Sequence, residues 1–167
     1  MFNQAPFDPE IIIKTLARHE VKYVLIGALA ARLQGFPRMT SDADITPAFN
    51  TNNLHRLATA LQELEARVFT ESVPKGLSFE CTAENLKQAE LWNFITSAGR
   101  IDVAFKPAGT SGYEDLANNA KGFKVYGTEL FAASLEDIIR SKKAADRPQD
   151  RQDIIILKEI LKRNKKN

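Results

Sequence analysis

Leucines at 54, 57, 61 and 64, spaced by three and four, mark residues 52–66 as an amphipathic helix with one apolar face. Residues 22–26, Lys-Tyr-Val-Leu-Ile, are β-branched and aromatic without polar alternation, the pattern of a central strand covered on both faces, and Gly27 ends it. Residues 28–34 then read as a short helix stopped by Gly35. Pro37 makes residues 36–41 a loop, which leads into a strand over 42–46 closed by Pro47. In that strand Ala43 and Ile45 face the core, while Asp42, Asp44 and Thr46 line the other side. A strand is expected over 77–81, and 91–96 with 100–105 form a hairpin around Ser97-Ala98-Gly99. Two short strands, 123–126 and 129–132, flank Gly127. Asp8, with Pro9 in the first turn, caps a helix to about residue 20. Ser134, with Asp137 at its third helical position, caps another over 135–145. After Pro148 a final helix spans 149–163 and buries Ile154, Leu157, Ile160 and Leu161.

Strands and helices intermixed over 167 residues describe one α/β (α+β) domain, 1–167. The apolar fraction of 44% and charged fraction of 26% exclude a disordered or fibrous chain. The longest apolar stretch, 24–33, falls far short of the roughly 20 residues that span a bilayer. Met1-Phe2-Asn3-Gln4 lacks the basic and apolar regions of a secretory signal, so the expectation is a cytoplasmic protein with no membrane partner. The lone Cys81 agrees, reading as a small buried hydrophobe. A net charge of +2 does not by itself imply nucleic acid binding. The basic run Lys162-Arg163-Asn164-Lys165-Lys166 serves either to touch phosphates or to solvate a helix end.

Chemistry enters with Ser41-Asp42-Ala43-Asp44-Ile45. Residues two apart in a strand project the same way, so Asp42 and Asp44 are neighbours whose charges repel, and magnesium or manganese is the natural third party. An arbitrary Asp-x-Asp can equally decorate an exposed strand edge. Against that stand the rarity of Asp in strands and a third carboxylate, Asp102, inside the apolar strand 101–105, where an unpaired charge is costly. Gly27 opens a helix start whose free N–H groups can hold a phosphate, and its bare Cα lets phosphates pass close. Together these are the parts of metal-assisted nucleotidyl transfer. One or two ions on Asp42, Asp44 and Asp102 clamp a nucleoside triphosphate, and Asp102 is placed to activate an attacking hydroxyl. Arg38 sits in the loop that delivers the acids, either as a bidentate phosphate contact or as a solvated charge.

Residues 23–31, Tyr-Val-Leu-Ile-Gly-Ala-Leu-Ala-Ala, followed by 38–45, Arg-Met-Thr-Ser-Asp-Ala-Asp-Ile, resemble the minimal nucleotidyltransferase superfamily, in particular its AbiEii toxin-like domains. Ser134-Leu135-Glu136-Asp137-Ile138-Ile139, Lys142, Arg147 and Asp150 resemble the C-terminal helical segment of those proteins. The resemblance runs from about Val21 to Leu161, with a core over about 21–107 and a helical segment over about 134–163. It implies the nucleotidyltransferase fold, a mixed β-sheet flanked by helices with C-terminal helices. It also implies two magnesium ions and transfer of a nucleoside monophosphate from a nucleoside triphosphate, ATP among them, to a hydroxyl of RNA, protein or a small molecule. A role in a toxin-antitoxin pair, with an antitoxin protein as partner, follows from the same resemblance. By position Gly27 matches the phosphate-loop glycine, with Ala28 and Ser41 in the nucleotide-binding segments. Asp42, Asp44 and Asp102 match the metal-binding acids, Lys142 and Arg147 the phosphate-contacting bases, and Asp150 the acid of the Arg-x-x-Asp pattern. Ala28 departs from the family, which has Gly or Ser there. It keeps the N–H but loses a hydroxyl and adds a methyl, so the alternative is a catalytically degenerate domain that binds nucleotide or a partner.

Asp42-Ala43-Asp44-Ile45-Thr46 also fits the Asp-x-Asp-x-Thr signature of haloacid dehalogenase-like phosphatases. That chemistry needs the nucleophile at the end of a hydrophobic strand, whereas Arg38 to Ser41 is polar and the apolar strand ends at Ile26. His19 and His55 have no second ligand at metal spacing, and Trp92 and the phenylalanines read as core.

Overall fold

Asp8 accepts the Ile11 N–H at 3.2 Å and starts α1 (Pro9–Arg18), as its sequence predicts. The chain then enters β1 (Tyr23–Ile26), turns at Gly27 into α2 (Gly27–Arg32), and returns through β2 (Asp42–Pro47). Asn50 caps α3 (Thr51–Glu63) by accepting from the Asn53 N–H, and the strands β3 (Arg67–Thr70) and β4 (Val73–Leu77) follow. Next come α4 (Ala83–Leu86), the hairpin β5 (Leu91–Thr96) and β6 (Gly99–Ala104), and α5 (Tyr113–Asn119). A second hairpin, β7 (Lys121–Val125) and β8 (Thr128–Ala132), precedes α6 (Leu135–Ala145) and α7 (Pro148–Lys166). These elements belong to a computed structural model that describes residues 5–167, so the reading of Met1 to Gln4 lies outside the described residues.

The strands form one mixed eight-stranded sheet in the order β4-β3-β5-β6-β2-β1-β8-β7. β2 lies near its middle, antiparallel to β1 and parallel to β6. Alternation places Ala43, Ile45, Ile101 and Val103 on the closed face, each at most 1% exposed. The leucine stripe of α3 is also at most 2% exposed, and each such side chain stabilises the fold by about 1.5–3 kcal/mol. Ser134 accepts the Asp137 N–H at 3.1 Å, the expected cap, and so fixes where α6 begins beyond the sheet. No described helix is long and apolar enough to cross a membrane.

The structure corrects several local expectations. The strand expected over 77–81 lies earlier, over Val73–Leu77, and residues 78–82 are irregular. Pro74 and Gly76 argue against a strand in isolation, but β4 is the sheet edge and pairs only with β3, so a missing N–H costs little. β3, α4 and α5 are additions; α4 is a single four-residue turn and α5 hides only Leu116, too little periodicity to be read. On α7 Leu157 is buried, whereas Ile154, Ile160 and Leu161 are half-buried against the core. Thr46 follows Asp42 and Asp44 in the alternation of β2 but is fully buried there. Cys81 is buried, which pushes its thiol up to about 12. Trp92 stacks on Phe94 at 5.8 Å as core, but Phe49 and Phe131 stand more than half exposed.

Candidate active site

Strand geometry alone brings three acids together. Asp42 and Asp44 share the open face of β2, and the parallel register pairs Asp44 with Asp102 and Asp42 with Arg100 on β6. One oxygen from each of Asp42, Asp44 and Asp102 lies within 4.8 Å of the others. Thr40 steadies Asp42 through Oγ1, which donates to its carboxylate at 3.0 Å. Asp102 Oδ1 is buried without a hydrogen-bond partner, and the nearest cation, Arg100 Nη2, is 3.7 Å away. Burial, followed by the charges of Asp42 and Asp102, pushes Asp44 up to about 8, with distant Arg147 opposing. Asp102 is raised as well, by burial first and then by Asp42, against the pull of Arg100. Three hard oxygen donors held this close, with one arginine 3.7 Å from one of them, fit a divalent cation.

Gly27 serves this cluster in a way the sequence reading did not foresee. Its φ is +68°, and a Cβ there would overlap the Asp44 carboxyl. The residue is small first for the acid beside it, whatever else passes its backbone.

The triad opens into a cleft of about 530 Å³. Gly27, Asp42, Asp44 and Asp102 line the sheet side, and Lys142 and Arg147 stand across from them. Asp150 sits behind those bases, 1% exposed, accepting Lys142 Nζ at 3.2 Å and Arg147 Nε at 2.8 Å. Arg38 is exposed, and its guanidinium donates to buried Asp153 at 2.7 Å, while Lys142 Nζ donates to the same carboxylate at 3.0 Å. Ser41 is exposed in the bend before β2, and Ala28 is half-buried in the first turn of α2; neither lines the cleft. Glu90, Lys106, Asp137 and Ser141 do line it and were missed, as was Asp153 behind it. Two-residue alternation from Asp102 would have found Arg100, and a four-residue helical step links Asp137 to Ser141, whereas Lys106 lies in a bend beyond the end of β6. Nothing in the sequence signals Glu90.

No protein-family model matches the chain, and no curated protein matches it in sequence. Solved structures match over nearly its whole length. The lincomycin-bound lincosamide antibiotic adenylyltransferase LnuA shares 13% identity at a TM-score of 0.60, covering 95% of this chain and 99% of its own. A Thermotoga maritima protein assigned as a nucleotidyltransferase shares 17% at 0.53, with coverages of 95% and 97%. The antibiotic-resistance factor ANT(2'')-Ia shares 15% at 0.54, with coverages of 93% and 90%. The fold is that of a nucleotidyltransferase. At these identities the likeness is one of fold.

Proposed function

We propose that the protein transfers a nucleoside monophosphate from a nucleoside triphosphate to a hydroxyl acceptor, with magnesium or manganese held by Asp42, Asp44 and Asp102. One observation carries this reading: three carboxylates on neighbouring strands have a single cation near them, Arg100 at 3.7 Å from Asp102, yet share one cleft with Lys142 and Arg147. The orphaned Asp102 Oδ1 and the raised Asp44 support the fit to a metal. When bound, such ions neutralise the triphosphate and the leaving pyrophosphate. Lys142 and Arg147 bind phosphate oxygens, and Gly27 leaves the Asp44 carboxyl unobstructed. Asp102 takes the proton of the acceptor hydroxyl as its oxygen bonds the α-phosphorus and the bond to pyrophosphate breaks. The acceptor is RNA, protein or a small molecule; two neighbours named for antibiotics support the small molecule. A toxin role with an antitoxin partner has the motif resemblance behind it.

The competing reading is a domain that binds nucleotide without transferring it, and Ala28 is what favours it. Incubation with magnesium and labelled triphosphates separates the two. Transfer to some acceptor by the wild type and none by Asp44→Ala is expected; equal labelling by the variant sinks the mechanism. A magnesium-dependent rise in melting temperature without transfer to any RNA, protein or small-molecule acceptor leaves the binding domain.

A further inference from the structure

Beside the cleft lies a second cavity of about 490 Å³, lined by Phe49, Phe105 and Tyr113, with Lys87 and Glu114 at its rim. Glu90 and Lys106 line both cavities, so the two share a lip. Its size is that of a small-molecule site. Phe49 is 53% exposed and stands edge-on to the buried Phe105 ring, 4.9 Å between centroids. An aromatic held this way by its neighbour, instead of by burial, offers a preformed wall for another flat group. Gly112, at φ +104°, fits against the Phe105 carbonyl, where a Cβ would lie 2.8 Å away, so the turn into α5 brings Tyr113 close.

Charge narrows the occupant. Lys87 and Lys106 are matched by Glu90 and Glu114, so the pocket offers no net attraction to a polyanion. A nucleic acid strand needs a basic track beside its stacking rings, and none is built here.

We infer that the Phe49–Phe105–Tyr113 pocket is the acceptor subsite and takes a small hydroxyl compound that presents a flat apolar ring and carries no net negative charge. This rests on the proposed nucleotidyl transfer. The ring packs on Phe49 while its hydroxyl crosses the Glu90–Lys106 lip toward Asp102.

The test uses the full chain with magnesium and a non-hydrolysable ATP analogue, and two probes, phenyl β-glucoside and methyl β-glucoside. Saturation-transfer NMR is expected to show the phenyl ring bound and methyl glucoside unbound. Phe49→Ala, an exposed position that leaves the core intact, is expected to weaken phenyl glucoside by about fivefold or more. The same variant keeps the nucleotide-induced rise in melting temperature. Equal binding of both probes, no effect of Phe49→Ala, no binding of the phenyl compound, or displacement of it by a short RNA each overturns the subsite. Failure of the underlying reading looks different: the wild type then shows no magnesium-dependent nucleotide shift at all, and the acceptor role goes with it even if the ring binds.

Discussion

Asp150 and Asp153 on α7 are each 1% exposed, and every one of their charges is met. Lys142 reaches both, Arg147 holds Asp150, and Arg38 holds Asp153. Asp42, Asp44 and Asp102 lie on the sheet side of the same cleft, less deeply buried, with Arg100 at 3.7 Å as their nearest cation. Burial works to raise Asp150, yet the hydrogen bonds of Arg147 and Lys142 bring it below the ordinary carboxylate value. In the triad, burial and mutual repulsion act together, and Asp44 rises. One residue type is therefore used in two ways: a paired cluster that locks α6 to α7, and one met only by Arg100 at 3.7 Å, which keeps a demand for positive charge.

The largest effect that can break this division is expected in the triad. Asp44→Asn keeps the shape of the site but removes a charged ligand. Magnesium-dependent transfer should fall on the order of 10³-fold, about 4 kcal/mol of barrier, while the urea midpoint in the absence of metal stays level or rises. A variant that transfers normally, or that unfolds as readily as a core mutant, removes the functional assignment.

Asp150→Ala should behave in the opposite way. It strips the partner of Lys142 and Arg147 from a buried position, and the loss is expected to be about 3 kcal/mol of stability, read as a lower urea midpoint at unchanged slope. Stability close to wild type would mean the lock is not where the hydrogen bonds place it.

How much of this was legible depends on what each residue needed from its neighbours. β2, the 91–104 hairpin and the leucine stripe of α3 were readable because period and turn chemistry are local. Asp42, Asp44 and Asp102 could be named as partners, but the register that sets Asp44 against Asp102 is a tertiary fact. Arg38 and Asp153 lie 115 residues apart, so no spacing rule could join them. β4 was misplaced because an edge strand tolerates the proline and glycine that local rules read as breakers. Gly27 was read as making room for phosphate, when the closest demand on it comes from Asp44, across the β1–β2 pairing.

A smaller effect separates the clusters by pH. The ordinary value of an aspartate is near 3.8, and Asp44 in the folded protein sits at about 8. Between those values the folded state binds a proton that the unfolded chain does not, so stability without metal should fall as pH rises from 5.5 to 8. Asp115 and Asp146 are shifted downward, so their contribution is lost only below the ordinary carboxylate range, outside this window. Thermal melts in a chelator should show the decline, Asp44→Asn should flatten it, and magnesium should help more at pH 8 than at 5.5 because protons compete for the same oxygens. A metal-free stability that climbs across the window contradicts the raised Asp44.

The smallest effect concerns Arg38, an exposed member of the paired cluster. Arg38 is 41% exposed on its side chain and pairs with Asp153 at 2.7 Å, while Asp153 also accepts from Lys142 and from Gln149 at 3.2 Å. Removing Arg38 therefore leaves the buried carboxylate partnered, and a pair open to solvent on one side contributes little. Arg38→Gln should cost less than about 1 kcal/mol in urea unfolding. It should also leave the KM for the triphosphate within about twofold of wild type, since the guanidinium points to α7 and not into the cleft. A KM raised about tenfold at unchanged stability would mean that Arg38 leaves Asp153 to meet a phosphate once nucleotide is present. Asp153 would then be a place for Arg38 to wait, and the paired cluster would belong to the chemistry rather than only to its support.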